Sequence, residues 1–465
     1  MSTKALTKAA AKRRNQNDPN LLTALQNGGP MVWLSCLIMG LGNIMAGQVI
    51  KGLLFLLVEA GIIVYLVLPT GGLHWISMLP SLGDQVMGEV YNEKTGIYEY
   101  TMGDQSQLIL LYGIAALCLI ALLIFVWQMA VRSGYKALGL KKAGAKIPNF
   151  ADEVKSLFDE NVHKLLMFAP TTCLAVFSIL PLFYMMSMAF TNYSKEGDHL
   201  ILFDWVGMQN FAALFDSTST IGKQFGDVLV WTLVWAFFAT FLNYILGMIL
   251  AMVINRKETK GKAFWRFCFV LSIAVPQFVT LMIMNIMLQP SGAVNVLLKN
   301  LGLISESIPF WTNATYARIL IIVINLWIGI PYLMLIATGI LMNIPADLYE
   351  SARIDGANAF QTYMKITLPY MLFVTGPYLL TSFTGNINNF NVIFLLSGGK
   401  PLSVSMAGNA GSTDLLITWL YKMTVTDSNY KLAAVMGILV FVVCAVINLV
   451  VYNMIPSVKN EEDFQ

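Results

Sequence analysis

Two sets of neutral polar residues interrupt segments that are otherwise strongly apolar. Asn325, Gly329 and Tyr332 fall at i, i+4 and i+7, with Ile328 beside them; Ser382, Gly385, Asn386 and Asn389 fall at i, i+3, i+4 and i+7. On a helix each set shares one face. Asn both donates and accepts hydrogen bonds, a hydroxyl does the same, and Gly lets a ligand approach the backbone. That is the chemistry needed to hold the hydroxyls of an uncharged sugar. Polar residues and Gly at such spacing also serve as glue between membrane helices, so spacing alone leaves both readings open. Glu59 is the one acid in the interior of an apolar stretch. An intramembrane carboxylate suggests proton coupling, but Glu59 stands alone and is expected to pair with the neighbouring 31–47 segment. The five cysteines (Cys36, Cys118, Cys173, Cys268, Cys444) and three histidines (His74, His163, His199) are scattered and form neither a metal nor a disulfide pattern. No G-x-x-x-x-G-K-[ST] phosphate loop occurs, so ATP hydrolysis by that route is excluded, and no catalytic cluster supports an integral membrane enzyme.

The elements that must position these residues are membrane spans. Of the 465 residues 57% are hydrophobic and only 12% charged, about half the charge of a soluble domain. Apolar runs long enough to cross a bilayer lie at 50–68, 107–131, 165–191, 226–254, 267–289, 316–342, 370–396 and 431–455, which makes eight. The fold class is therefore an all-α polytopic membrane protein. A further run, 31–47, is short and contains Gly40, Gly42, Asn43 and Gly47; it reads as a re-entrant or interfacial helix. The basic start is too long and polar before its apolar run for a cleaved signal, and the first span is expected to act as the insertion signal. Basic residues cluster at the N-terminus, in 132–164 and in 255–266, whereas 69–106, 290–315 and 397–430 are nearly free of them. With eight spans and the N-terminus inside, every basic link is cytoplasmic, as is 343–369. The chain divides into a basic tail (1–30), an extension with the 31–47 element, two spans and a linker ending in a short amphipathic helix at 151–162 (31–164), a six-span module (165–455) and a tail (456–465). The link 192–225 carries a short amphipathic pattern, F-D-W-V-G-M-Q-N-F-A-A-L-F.

One cytoplasmic link is unusual: Tyr349–Pro369 reads Y-E-S-A-R-I-D-G-A-N-A-F-Q-T-Y-M-K-I-T-L-P. Pro345 suits a helix start, and Asp347 and Glu350 in the first turn complement the helix dipole. Gly356 ends that helix and Pro369 suits the start of the next span. Tyr349, Ala352, Ile354 and Ala357 would be wasted on water, so a short helix showing small and apolar residues beside an acid is expected to dock into a groove on a partner.

Glu350, Gly356, Ile366, Leu368 and Pro369 reproduce the pattern E-A-A-x3-G-x9-I-x-L-P, by which the chain resembles the permeases of ABC importers. N-L-W-I-G-I-P-Y (325–332), D-G-A (355–357), S-F-T-G-N-I-N-N-F (382–390) and S-T-D-L-L-I-T-W-L-Y (412–421) narrow the resemblance to binding-protein-dependent sugar permeases, in particular the larger membrane subunit of maltose/maltodextrin importers. The resemblance covers about 165–455. It implies a type I importer core of six helices in a bacterial cell membrane, with both termini cytoplasmic. It also implies a second homologous permease, an ATPase homodimer that holds ATP and Mg, an extracellular solute-binding protein and an oligosaccharide substrate. No cofactor on this chain and no nucleic-acid partner are implied. Carried over by motif, Asn325, Gly329, Tyr332, Ser382, Asn386 and Asn389 contact the sugar, which favours the sugar reading of the two stripes. Ile328 joins them, and Glu350, Ser351, Ala352, Asp355 and Gly356 couple to the ATPase. Three departures leave the sugar open: Gly385 stands where the family has an aromatic, and Ile273 and Gln277, flanking Pro276, replace Tyr and Ser. They point to a bulkier or longer oligosaccharide, of malto- or else galacto- or raffinose type. The shortness of 192–225 suits a Gram-positive type with a lipid-anchored binding protein.

Overall fold

The structure is a computed structural model that describes residues 20–92, 96–256, 258–402 and 409–454. The tail 456–465 and most of the basic tail 1–30 lie outside the described residues. Packing divides the chain into two compact units: the described residues up to Tyr193 with Gly197–Trp205, and Ser194–Glu196 with the residues from Val206 onward. Among the described residues seven helices are long and apolar enough to cross a membrane, and there are eight if a bent pair is counted as one span. These correspond to the eight runs read from the sequence.

In the first unit the 31–47 run forms two short helices, Gly29–Leu37 and Leu41–Ala46, neither long enough to span a bilayer. The chain reverses at Gly40, whose φ is +80°, and a Cβ there would sit 2.2 Å from the Gly52 carbonyl oxygen. Only Gly meets both demands. Glu59 Oε2 accepts the Met39 N–H at 2.7 Å in this reversal, so this acid serves a backbone donor that the broken helix leaves unpaired. Two spans follow, Val49–Val67 and Ser106–Lys142. The second has 37 residues, about 55 Å of helix, and so carries its basic end well beyond the apolar run 107–131. The linker helix, expected at 151–162, is Phe150–Leu157, started by an Asn149–Asp152 capping box. Lys51 Nζ pairs with Glu153 Oε1 at 2.7 Å and fixes this helix to the Val49–Val67 span.

Between these spans lies a hairpin the sequence reading missed, Gly88–Asn92 paired with Ile97–Thr101, with Tyr91 opposite Tyr98. The third span, Val162–Met188, packs on the Ser106–Lys142 helix. Contacts therefore place it with the first unit, whereas the family resemblance begins a six-span module at 165.

The second unit holds the spans Thr220–Asn255, Ala314–Leu341, Ala359–Ile387 and Tyr430–Met454. The amphipathic pattern of 203–215 contributes the short helix Gln209–Phe215. The run 267–289 is not one straight helix: Lys262–Ala274 and Gln277–Met287 meet at 83°. Pro276 has no N–H to continue the first helix, and Val275 before it is extended, with φ −77° and ψ 124°. The run 370–396 is broken too, stopping at Ile387 and resuming as Phe390–Leu396. Trp231, Trp235, Leu281, Ile321, Ile393 and Leu415 form one buried cluster, and Tyr244, Met248, Met334 and Met371 another. Thr220–Asn255 and Ala314–Leu341 approach closely at Gly247, where a Cβ would lie 2.6 Å from that of Leu333. Close approach over small residues is how membrane helices gain packing energy without a hydrophobic driving force between them.

Candidate functional site

The two polar stripes meet at a local irregularity of a third helix. Within Thr220–Asn255, residues Phe238–Leu242 form a π turn, a feature that frequently marks functional positions. The widened turn disturbs the regular hydrogen-bond ladder, and the Asn243 side chain serves the Ala239 carbonyl, donating from Nδ2 at 2.9 Å. That bond fixes the amide so that Oδ1 faces away from Ala239; Oδ1 is buried and accepts no hydrogen bond among the described residues. One residue after Ala239, the Thr240 hydroxyl accepts from Asn386 Nδ2 at 2.9 Å. Asn386 Oδ1 accepts from Asn389 Nδ2 at 3.2 Å, and the Asn386 carbonyl accepts from Trp235 Nε1 at 3.1 Å. The result is a preset relay of neutral donors and acceptors, Asn389 to Asn386 to Thr240.

Asn389 departs from the expected geometry. It lies past the end of the helix that carries Ser382, Gly385 and Asn386, and its Oδ1 caps the next helix by accepting the Val392 N–H at 3.3 Å. Asn388 and Asn389 together stop the helix because their side chains compete for local backbone groups. The amide still reaches Asn386, but from a loop and not from a shared helix face. Ser382 lies one turn after Tyr378 on this helix. Around Gly385 there is open space: a Cβ there would meet nothing within 4 Å.

On the facing helix Asn325 is 7% exposed, and its amide has no hydrogen-bond partner among the described residues. Its polar atoms are not among the enclosed unpaired ones, so the amide is free to bond water or a ligand. Gly329 is used differently from the expectation that it opens the backbone to a ring. A Cβ at Gly329 would lie 2.7–2.9 Å from the Asn243 amide atoms, so its missing side chain admits Asn243. Ile328 packs on the tryptophan cluster, and Tyr332 is 51% exposed. Ile273 and Gln277 sit on either side of the Pro276 bend, both exposed, without a hydrogen bond to the amide relay. Thr240 and Asn243, which connect the stripes, were missed in the sequence; the T-x-x-N spacing in F-F-A-T-F-L-N-Y is their signal.

The link 343–369 begins with the helix Ala346–Ile354, with Pro345 before it and Asp347 in its first turn. It ends in a Schellman turn: Ala357 N–H donates to the Ala352 carbonyl at 2.9 Å and Gly356 N–H to the Arg353 carbonyl at 3.1 Å. Gly356 adopts φ +73° to close it. An Asn358–Gln361 capping box starts the next helix, and the Tyr349 hydroxyl pairs with Thr367 Oγ1 at 3.1 Å. The short helix is thus tied to the foot of the following span. Glu350, Ser351, Asp355 and Gly356 are exposed and Ala352 half-buried. Ile354 is 86% and Phe360 71% exposed, an uncovered apolar surface beside an acid.

Residues 243–460 match the family described as "Binding-protein-dependent transport system inner membrane component". The chain is 32% identical over 438 residues to the galactooligosaccharides transport system permease protein of Bacillus subtilis, covering 92% of this chain and 98% of that protein. It is 33% identical over 442 residues to the maltodextrin transport system permease protein of Streptococcus pneumoniae serotype 4, covering 92% and 96%. Among solved structures, a bacterial ABC transporter involved in the import of the acidic polysaccharide alginate superposes with a TM-score of 0.51 at 25% identity, covering 64% of this chain and 97% of that one. With the breadth of these matches, the seven or eight candidate spans and the exposed helix Ala346–Ile354, the chain belongs to the binding-protein-dependent inner membrane components, the permease subunits of ABC importers.

Proposed function

We propose that this permease carries oligosaccharides, foremost malto-oligosaccharides, across a bacterial cell membrane in an ATP-driven importer. The observation that carries the reading is the joining of both polar stripes through the π turn, with Asn325 unpaired and Asn386 held by Thr240 and Asn389. Uncharged amides that both donate and accept suit sugar hydroxyls, and the open space at Gly385 suits a bulky chain. The maltodextrin relative supports the substrate class.

In this reading a second permease completes the pathway, an extracellular binding protein delivers the sugar, and a separate ATPase dimer holds ATP and Mg2+. The importer of alginate has been solved with a "periplasmic protein" bound to alginate pentasaccharide, which supports a binding-protein partner here. The clustering of basic residues in the links supports a cytoplasmic position for both termini and for 343–369. There Glu350 meets a basic group of the ATPase and the Ala346–Ile354 helix follows its closure as a rigid body, opening the pathway outward.

A second reading, galacto-oligosaccharide import, is favoured by the Bacillus subtilis relative. Uptake of labelled maltotetraose by proteoliposomes holding the complete importer decides between them. The expected result is ATP-dependent, saturable uptake that excess galactotriose does not inhibit. Inhibition by galactotriose as strong as by unlabelled maltotetraose would favour the second reading, and absence of uptake of either sugar would reject both.

A further inference from the structure

The hairpin between the first two spans presents one aromatic face. Its register pairs Glu89 with Tyr100 and Tyr91 with Tyr98. Side chains alternate along a strand, so directly opposed residues share a side, and so do residues two apart. Glu89, Tyr91, Tyr98 and Tyr100 therefore stand on a single face, three rings and one carboxylate at the corners of a quadrilateral. Tyr91 is 52%, Tyr98 69% and Tyr100 62% exposed, and Glu89 is exposed with them. The Tyr91 and Tyr98 rings lie 5.3 Å apart and are tilted by 60°, inclined to each other rather than stacked.

The hairpin is clamped at its base. Asp104 Oδ2 accepts the N–H groups of Asp84 and Gln85, each at 3.0 Å, and the Asp104 N–H donates to the Gln85 carbonyl at 2.7 Å. Gly103 turns there with φ +71°, and a Cβ at that position would lie 2.5 Å from the Met87 nitrogen. A two-stranded hairpin is marginal by itself. The clamp joins its two ends and so reduces the freedom that the four side chains have left to lose on binding.

The chemistry of this face selects a cation. Tyrosine rings attract an ammonium or guanidinium over their faces, and a neighbouring carboxylate adds a charge-assisted hydrogen bond. The link 69–106 carries five acids, Asp84, Glu89, Glu93, Glu99 and Asp104, against Lys94 as its one Lys or Arg. That negative charge opposes seating the tyrosines among anionic lipid headgroups. An open face also lacks the enclosure of a small-molecule site and suits a protein surface, where Tyr and Arg are enriched. The hairpin joins the ends of Val49–Val67 and Ser106–Lys142 that lie away from the basic segments, which supports an extracellular position. It lies outside the 243–460 family match. We propose that Glu89, Tyr91, Tyr98 and Tyr100 are a docking face for a Lys or Arg side chain of the extracellular binding protein. The inference rests on the importer reading above, which supplies that partner.

The test uses the complete importer in nanodiscs of mixed zwitterionic and anionic lipid, with its purified binding protein, maltotetraose and galactotriose. Dissociation constants are measured for wild type, Tyr98→Ala, Tyr98→Phe and Glu89→Lys. In a separate measurement p-benzoylphenylalanine replaces Tyr100 and is photolysed in the complex. Tyr98→Ala is expected to bind about fivefold more weakly, the worth of one exposed cation–π contact, and Tyr98→Phe, which keeps the ring, like wild type. Glu89→Lys places like charges together and is expected to weaken binding by about tenfold or more, and the photoadduct forms on the binding protein. Wild-type affinity in Tyr98→Ala and Glu89→Lys, with adducts on lipid alone, would overturn the docking face and leave the importer reading standing. Absence of binding by the unmodified importer would overturn both. Because the crosslink is read with Glu89, Tyr91 and Tyr98 intact, a variant that misfolds does not remove the test.

Discussion

Asn386 is the residue on which the amide relay turns. Its Nδ2 is engaged by Thr240, its Oδ1 by Asn389 and its carbonyl by Trp235, so the side chain has little rotational freedom left to lose when a hydroxyl binds. Asn386→Ala is expected to lower kcat/KM for oligosaccharide uptake by about tenfold or more, whereas Thr240→Val, which keeps the shape and removes only the positioning bond, raises KM by a smaller factor. Labelled-sugar uptake checks both, and wild-type transport by Asn386→Ala would count against the site. Helical periodicity made Asn325, Ser382 and Asn386 legible in the sequence. It failed at Asn389 because it was carried through an Asn-Asn pair that ends the helix. It also overlooked Thr240 and Asn243, since two polar residues in a long apolar helix read as interhelical glue until the π turn brings them against both stripes. Gly329 shows the opposite error: the sequence suggests an opening for substrate, and the structure uses it to seat Asn243.

At the scale of elements, irregularities do the positioning: the π turn at Phe238–Leu242, the 83° bend before Gln277, the stop after Ile387 and the left-handed turn at Gly356. Spans were legible because bilayer thickness fixes their length. Breaks were less so, since Pro276 and Asn388 sit inside apolar runs that a hydropathy window bridges. The hairpin at 88–101 was missed because its alternation is short and lies in a loop of mixed polarity. Gly356 gives a sharp test. A β-branched side chain at φ +73° is strained by roughly 1–2 kcal/mol, so Gly356→Val is expected to distort the Schellman turn and uncouple transport while leaving insertion intact. Gly339, inside the Ala314–Leu341 helix with nothing within 4 Å of a Cβ, is the control. Gly339→Ala should leave transport unchanged and raise thermal stability by up to about 1 kcal/mol. Equal behaviour of the two variants in uptake and in melting of the purified importer would contradict this account of Gly356.

At the scale of the whole molecule, the proposed function gives the driving force to a separate ATPase, and the exposed helix Ala346–Ile354 is the surface proposed to receive it. Ile354 and Phe360 are uncovered there, and Glu350 is exposed on the same short helix as Ile354. The tie from Tyr349 to Thr367 joins this helix to the Ala359–Ile387 span, which carries Asn386. The two proposed sites, for the ATPase and for sugar, are in this way joined through one span. The most direct measurement is sugar-stimulated ATP hydrolysis and sugar uptake by the reconstituted importer carrying Glu350→Ala. Loss of the acid is predicted to cut uptake by about tenfold or more, the worth of one charge-assisted hydrogen bond, and to disconnect hydrolysis from the presence of sugar. Wild-type uptake together with wild-type stimulation of ATP hydrolysis would contradict it.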